Sequence, residues 1–351
     1  MKTLKNLLKI VPLLACAYAG SAQALVINFK YDPAMDPRAL GAFRKAADQW
    51  QAVLKDDIRV NLNIGYSQLD VGVIGSTGST QLAYTYTSVR NALTRDAKSL
   101  LDKQAVANLA AGPCLSVYMN GTANNPAGAN SATPYVDNDC NINNYAIRAN
   151  TANLRAMGII GNDDTLSDGN IQFSTRFESI FDFDTSDGIG AGLLDFTGVA
   201  AHEIGHALGF VSGVDILDIT RTGAYSDAAY TYIAPADLFR CSPDSKAAGT
   251  DIDWTADARA KFFSVDRCTT ALSTFSLGRN YGDGQQASHW KDNLGIGLLD
   301  PTASRGELLA ISQMDLMLFD AIGWDLPEPG SFALLGLGAF GLAAARRRKQ
   351  K

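Results

Sequence analysis

The stretch Val199–Gly213, V-A-A-H-E-I-G-H-A-L-G-F-V-S-G, constrains this chain more than any other. It carries two of the three histidines, His202 and His206, four residues apart. On a helix that spacing sets both imidazoles on one face, one turn apart, where they can ligate a single zinc ion. Glu203 lies between them on an adjacent flank and can reach a zinc-bound water as general base. The surrounding residues are small or apolar, so the segment reads as a buried helix. Gly209 offers its end, because glycine takes the left-handed conformation cheaply. An interior glycine such as Gly205 costs a helix up to ~1 kcal/mol, which predicts something packed closely against it. Two histidines on a helix can also be hydrogen-bonded core groups. The longer run H-E-I-G-H-A-L-G-F favours the metal.

The rest of the chain fits an exported globular body. At 351 residues it can bury a large core in one or two domains. Its formal net charge of −6 argues against a nucleic-acid partner, which calls for a basic face. Residues 1–24 have the form of a signal peptide: lysines at 2, 5 and 9, a short apolar run, and Ala22-Gln23-Ala24 as the cleavage pattern. The mature chain then begins at Leu25 without Cys16. Four cysteines remain, Cys114, Cys140, Cys241 and Cys268, and an even number in an exported chain suggests two disulfides. Three pairings are possible. The nearest-neighbour one, Cys114–Cys140 with Cys241–Cys268, closes two loops of similar length.

Leu25–Lys30 reads as a strand, 37–54 as an amphipathic helix opened by Pro37, and Ile58–Ile64 as a half-buried strand. That is a layered α+β start. Gly72–Thr80 is rich in Gly, Ser and Thr but lacks the Gly-Lys-Ser/Thr ending of a phosphate cradle, so it reads as a surface loop. Ala83–Val89 reads as a strand, and 96–111 as a helix. Gly121–Asp139 reads as a long loop stapled by cysteines. Asn170–Phe183 reads as a long strand with a bend. Asp182, Asp184, Asp187 and Gly188 follow in a turn that could hold calcium through oxygen ligands, although it does not match an EF-hand loop. Asp195 or Thr197 caps the histidine helix. Ile311–Ile322 reads as a last amphipathic helix. Beyond it, Pro327-Glu328-Pro329 breaks the fold, and an apolar run, 330–345, precedes Arg346-Arg347-Arg348-Lys349. That run is short for a membrane span.

A catalytic zinc normally has three protein ligands and one open position. No glutamate stands about 20 residues downstream, in 222–230, and the third-histidine position of H-E-x-x-H-x-x-G-x-x-H is Ser212. His289, in Ser288-His289-Trp290, is the one histidine left to return to the metal.

These residues resemble the metzincin metallopeptidases. His202–Phe210 together with the late Ser288-His289-Trp290 resembles the leishmanolysin branch. The resemblance spans about residues 25–325, but only the two metal motifs are specific. It implies an α+β zincin with a mixed twisted sheet, an active-site helix, and an irregular C-terminal subdomain. It also implies zinc on His202, His206 and His289, with Glu203 as base. One departure is that Leu299 stands where the branch has the methionine of a turn beneath the metal. The tail resembles the Pro-Glu-Pro C-terminal sorting signal of Gram-negative bacteria. That implies removal by a sorting protease in the membrane and delivery to the surface or medium.

The expected organisation is a signal peptide (1–24), a catalytic subdomain with the histidine helix (25–213), a subdomain carrying the third ligand (214–326), and a sorting segment (327–351). The expected function is that of a secreted zinc endopeptidase acting on polypeptides, with a strand within Ile171–Phe177 pairing the substrate. The alternatives are a non-catalytic surface- or matrix-binding protein on the same scaffold, and a zinc hydrolase acting on something other than peptide.

Overall fold

A computed structural model describes residues 25–162 and 165–327; the expected signal peptide and most of the expected sorting segment lie outside them. The described chain is a mixed α+β fold with several small sheets and helices.

The largest sheet has four strands in the order Val26–Lys30, Arg59–Ser67, Gly169–Ser174, Gly75–Ser79. The first three run parallel and the last antiparallel. The Arg59–Ser67 strand alternates buried Val60, Leu62 and Ile64 with partly exposed partners, as a half-buried strand must. The opening helix, Pro37–Val53, starts at an Asp36 cap with proline in its first turn. It buries Ala39, Ala42, Phe43, Ala46, Ala47 and Trp50. Its small residues bring it close to the histidine helix, Phe196–Leu208, and the Trp50 indole donates to Ala201 O at 2.8 Å. Phe43 meets Phe173 of the sheet and Phe196 of the histidine helix edge-on, each at 5.3 Å. Sheet, opening helix and histidine helix thus share one aromatic core.

The remaining elements surround that core. Residues Arg240–Cys241, Lys261–Phe263 and Ser273–Phe275 form a small antiparallel sheet. Ile252–Asp253 instead joins Val117–Met119 and Tyr135–Asp137, so early and late segments share strands. The last helix, Gln313–Ala321, sets Phe319 against Trp50 at 4.7 Å. Both disulfides follow the nearest-neighbour pairing, Cys114–Cys140 and Cys241–Cys268.

Three expectations are corrected. Gly72–Thr80 is not all loop: Gly75–Ser79 is the edge strand, held by backbone pairing with Gly169–Ser174, for which side-chain propensity is irrelevant. The Asn170–Phe183 strand ends at Ser174, where a 3₁₀ turn (Thr175–Ile180) begins, and it lies between two neighbours. Its Ile171–Phe173 backbone is therefore engaged on both sides and has no edge to offer a substrate. In the third case, the strand near Ala83 covers Gln81–Thr85, and Thr85 then caps a helix from Tyr86 to Asp96. The alternation A-Y-T-Y-T is cut off by that cap.

Candidate metal centre

The histidine helix begins at Asp195, whose side chain accepts from Gly198 N at 2.8 Å, and ends at Gly209 with φ 130°. Thr197 lies inside the first turn and makes no cap. Every helix residue except His202 is buried. The last carbonyls find side-chain donors: Asn150 Nδ2 reaches His206 O at 2.7 Å and Ala207 O at 3.1 Å, and Trp324 Nε1 reaches Leu208 O at 3.1 Å. The expected close packing at Gly205 is present. A Cβ there would lie 3.1 Å from the Trp50 ring and 3.2 Å from both Leu299 methyls. Leu299, fully buried, packs against the helix at Gly205.

The three histidines meet. His206 Nε2 lies 3.0 Å from His202 Nε2 and 3.0 Å from His289 Nε2, and the His202–His289 distance is 3.2 Å. Their other nitrogens face carbonyls: His202 Nδ1 to Leu298 O at 2.8 Å, His206 Nδ1 to Phe210 O at 2.7 Å, His289 Nδ1 to Gln286 O at 3.3 Å. A carbonyl only accepts, so each Nδ1 carries the hydrogen and each Nε2 presents a lone pair. Three lone pairs aimed at one another repel unless a cation stands among them. Burial, together with the other imidazoles, pushes His206 down to about 3 and His289 well below the usual histidine range, so both stay neutral, as metal ligands must. The cluster is a possible metal-binding site.

His289 reaches it through the chain just beyond the helix. Ser212, at the position where the expected third histidine is missing, donates its backbone amide to Ser288 Oγ at 2.8 Å. Asp215 accepts from Ala287 N at 2.6 Å and from the Ser288 hydroxyl at 2.5 Å. Asp237 steadies the same exit, accepting from Ser212 Oγ, Gly213 N, Ala234 N and the Trp254 indole. Trp290 is buried against Phe275 and Phe210, and its indole donates to Asp315 at 2.8 Å.

Glu203 is buried beside the edge strand. The Thr77 hydroxyl lies 2.7 Å from its Oε2 and 2.9 Å from its backbone carbonyl. Burial pushes the carboxyl above its usual range, while His202 and the Thr77 hydroxyl pull it back. A Cβ on Gly75 would come within 2.7 Å of Glu203 Oε1, so the glycine leaves room for the carboxylate. Sequence reasoning missed Thr77, Gly75, Asp215, Asp237 and Asp315. Gly-Ser-Thr-Gly-Ser carries no signal of its own, and the aspartates become legible only once their donors surround them.

The Asp182–Gly188 turn spends its oxygens locally: Asp182 accepts from Asp184 N and Gly190 N, and Asp184 from Ser186 N. The carboxylates that do gather, among the described residues, are Asp137, Asp139 and Asp227, within 4.8 Å of one another and a second possible metal-binding site.

Among the described residues no helix is long and apolar enough to cross a membrane. No curated protein and no solved structure matches the chain. Residues 325–349 match the PEP-CTERM protein-sorting motif, which implies processing by a membrane-bound sorting enzyme and supports an extracellular or surface location.

Proposed function

We propose that the chain is a zinc-dependent endopeptidase of an exported or surface-bound kind. The observation that supports this best is the convergence of three Nε2 lone pairs at 3.0–3.2 Å beside a buried glutamate. Zinc–nitrogen bonds of ~2.0–2.1 Å in a tetrahedral set separate neighbouring nitrogens by roughly 3.3–3.4 Å, close to the spacing found. Three neutral imidazoles suit zinc and leave a fourth position open.

When bound, zinc supplies Lewis acidity, polarising a carbonyl and making water a better nucleophile. The chain's own residues do the rest. Glu203 takes the proton of the attacking water and hands it to the leaving amine. Thr77 fixes one oxygen of that carboxylate, Oε2, with its hydroxyl. The edge strand Gly75–Ser79 crosses this glutamate, and its outer side ends the sheet. An extended peptide laid along that side would pair through backbone hydrogen bonds with little demand on its side chains. In this reading residues 25–213 carry the base and two ligands, 214–326 supply His289, and 327–351 are the sorting segment after removal of 1–24.

Casein or gelatin zymography of the purified mature protein tests the proposal, with wild type, chelator-treated wild type and Glu203→Gln side by side. Clearing by the wild type alone is expected. Absence of clearing by zinc-loaded wild type on any protein substrate would favour the non-catalytic surface- or matrix-binding protein instead.

A further inference from the structure

We propose that Asp137, Asp139 and Asp227 form a calcium site that fastens the disulfide-linked loop ending at Cys140 to the distant segment around Asp227. The three carboxylates lie within 4.8 Å of one another, with Asp137 and Asp227 only 3 % and 4 % exposed and Asp139 open to solvent. Among the described residues no lysine or arginine forms an ion pair with any of them. Their neighbours are neutral donors. Asn143 Nδ2 meets Asp137 Oδ2 at 2.6 Å, and Asn141 Nδ2 lies 2.9 Å from Asp139 Oδ2 and 3.2 Å from Asp227 Oδ1. The Asn124 amide and the Tyr135 hydroxyl also reach Asp227 Oδ2, and Ala228 N reaches its Oδ1 at 2.7 Å. Such donors satisfy lone pairs but leave three negative charges together, two of them away from water.

A separate observation points to a ligand. Asn143 is 1 % exposed, its amide faces the Asp137 carboxylate, and its Oδ1 has no hydrogen-bond partner. On a planar amide that oxygen sits next to the nitrogen already touching the carboxylate. A buried acceptor with no donor, beside uncompensated carboxylates, is completed by a cation. The donors are all oxygen, with neither imidazole nor thiolate, which suits a hard ion and not zinc. Asp137 ends the strand Tyr135–Asp137 and Asp139 stands two residues on, so their carboxylates can turn toward one point, and Asp227 closes the set from another segment. The flexible coordination of calcium fits such a mixed set better than the strict octahedron of magnesium. Cys140, within that loop, is already tied to Cys114, so little backbone ordering is left for the ion to impose.

The test uses the purified mature protein, stripped with a chelator and reloaded with one equivalent of zinc so that the histidine cluster is not the site read. Adding calcium chloride should raise the melting temperature by several degrees, with a midpoint on the order of 0.1–1 mM. Terbium should bind in its place and luminesce on excitation of Tyr135. Asp139→Asn, an exposed change that leaves the fold intact, should melt at or above the wild-type temperature without calcium, because one repelling charge is gone. Its calcium midpoint should rise at least tenfold. No thermal response to calcium in the wild type, or an undiminished response in Asp139→Asn, would overturn the proposal, whether or not the zinc peptidase reading stands.

Discussion

His202 Nδ1 lies 2.8 Å from the carbonyl oxygen of Leu298, so one backbone group fixes the tautomer and tilt of the most exposed histidine. That group is itself held. Asp315, fully buried, accepts from Leu298 N at 2.8 Å, Leu299 N at 3.3 Å, Ser312 N at 2.7 Å and the Trp290 indole at 2.8 Å. One carboxylate therefore holds Leu298, on which His202 is oriented, and Trp290, the neighbour of His289. Asp315→Asn turns an NH₂ toward donors that need an acceptor. It should cost about 3 kcal/mol in urea unfolding and weaken zinc binding roughly 10–100-fold. Competition with a chromogenic chelator reads the second effect; unchanged zinc affinity would leave Asp315 a purely structural residue.

His289→Ala removes the third nitrogen while leaving Asp215 and Ser288 to hold the loop. Metal analysis of this variant should show strong loss from the single zinc equivalent expected of the wild type. A full equivalent in the variant would remove His289 from the ligand set.

Gly205 and Leu299 make a packing prediction. Alanine favours a helix over glycine by ~1 kcal/mol, so Gly205→Ala would stabilise an isolated helix. Here the added methyl meets Trp50, whose indole is anchored on Ala201 O, and the Leu299 methyls at 3.1–3.2 Å. The change should instead destabilise by ~1–3 kcal/mol. Leu299→Met, which conserves volume, should cost less than ~1.5 kcal/mol. Equilibrium unfolding of both variants checks this ordering.

The contrast between Gly205 and Gly75 shows what the sequence could carry. Gly205 stands inside an unmistakable apolar helix, so its misfit announced a neighbour before the neighbour was known. Gly75 stands among small polar residues with no period, and its strand exists only because Ile171–Phe173, far along the chain, offers a backbone to pair with. His289 was legible for a different reason: with three histidines in the chain and two fixed on one helix, chemistry left a single candidate. Asp215, Asp237 and Asp315 had no such scarcity. They are three among many aspartates, and what distinguishes them is burial among amide and indole donors brought together by folding. The helix from Tyr86 reads as strand in the sequence because its first residues alternate like one, a local signal that the Thr85 cap overrides.

Asp56 predicts a pH dependence. Burial, with Asp325 and Asp96 nearby, raises its carboxyl to about 8, and Asp96 is raised to about 7. In the unfolded chain such groups titrate near ~4. The folded protein therefore holds protons that the unfolded chain has lost, so stability is greatest below the unfolded value and falls as pH rises through about 8. Asp56→Asn should leave stability near pH 4 unchanged and recover on the order of 1–3 kcal/mol at pH 8.5. Parallel melting curves for the two proteins across that range should diverge on the alkaline side; a constant offset would mean Asp56 is ionised throughout.

Asp56 also bears on processing at the chain's end. It accepts from Asp325 N at 3.0 Å, while Lys55 N donates to Asp325 O at 2.8 Å and Lys98 pairs with the Asp325 carboxylate. The preceding Trp324 is fully buried, with its indole on Leu208 O at 3.1 Å. These contacts fasten the end of the folded body to the C-terminus of the histidine helix just where the sorting motif starts, at residue 325. Pro327-Glu328-Pro329 then follows with no room for a further helical turn before the first proline. A sorting enzyme that cut near these prolines would leave every contact of Trp324 and Asp325 in place. The mature protein should therefore run from Leu25 to about 327–329, and a recombinant chain ending at residue 327 should unfold within ~0.5 kcal/mol of it. Intact-mass measurement of protein recovered from the native host's medium decides the first point. A secreted chain still ending at Lys351 would falsify removal of the tail, and a large loss of stability on ending at 327 would mean that the tail, not the Asp325 contacts, completes the fold.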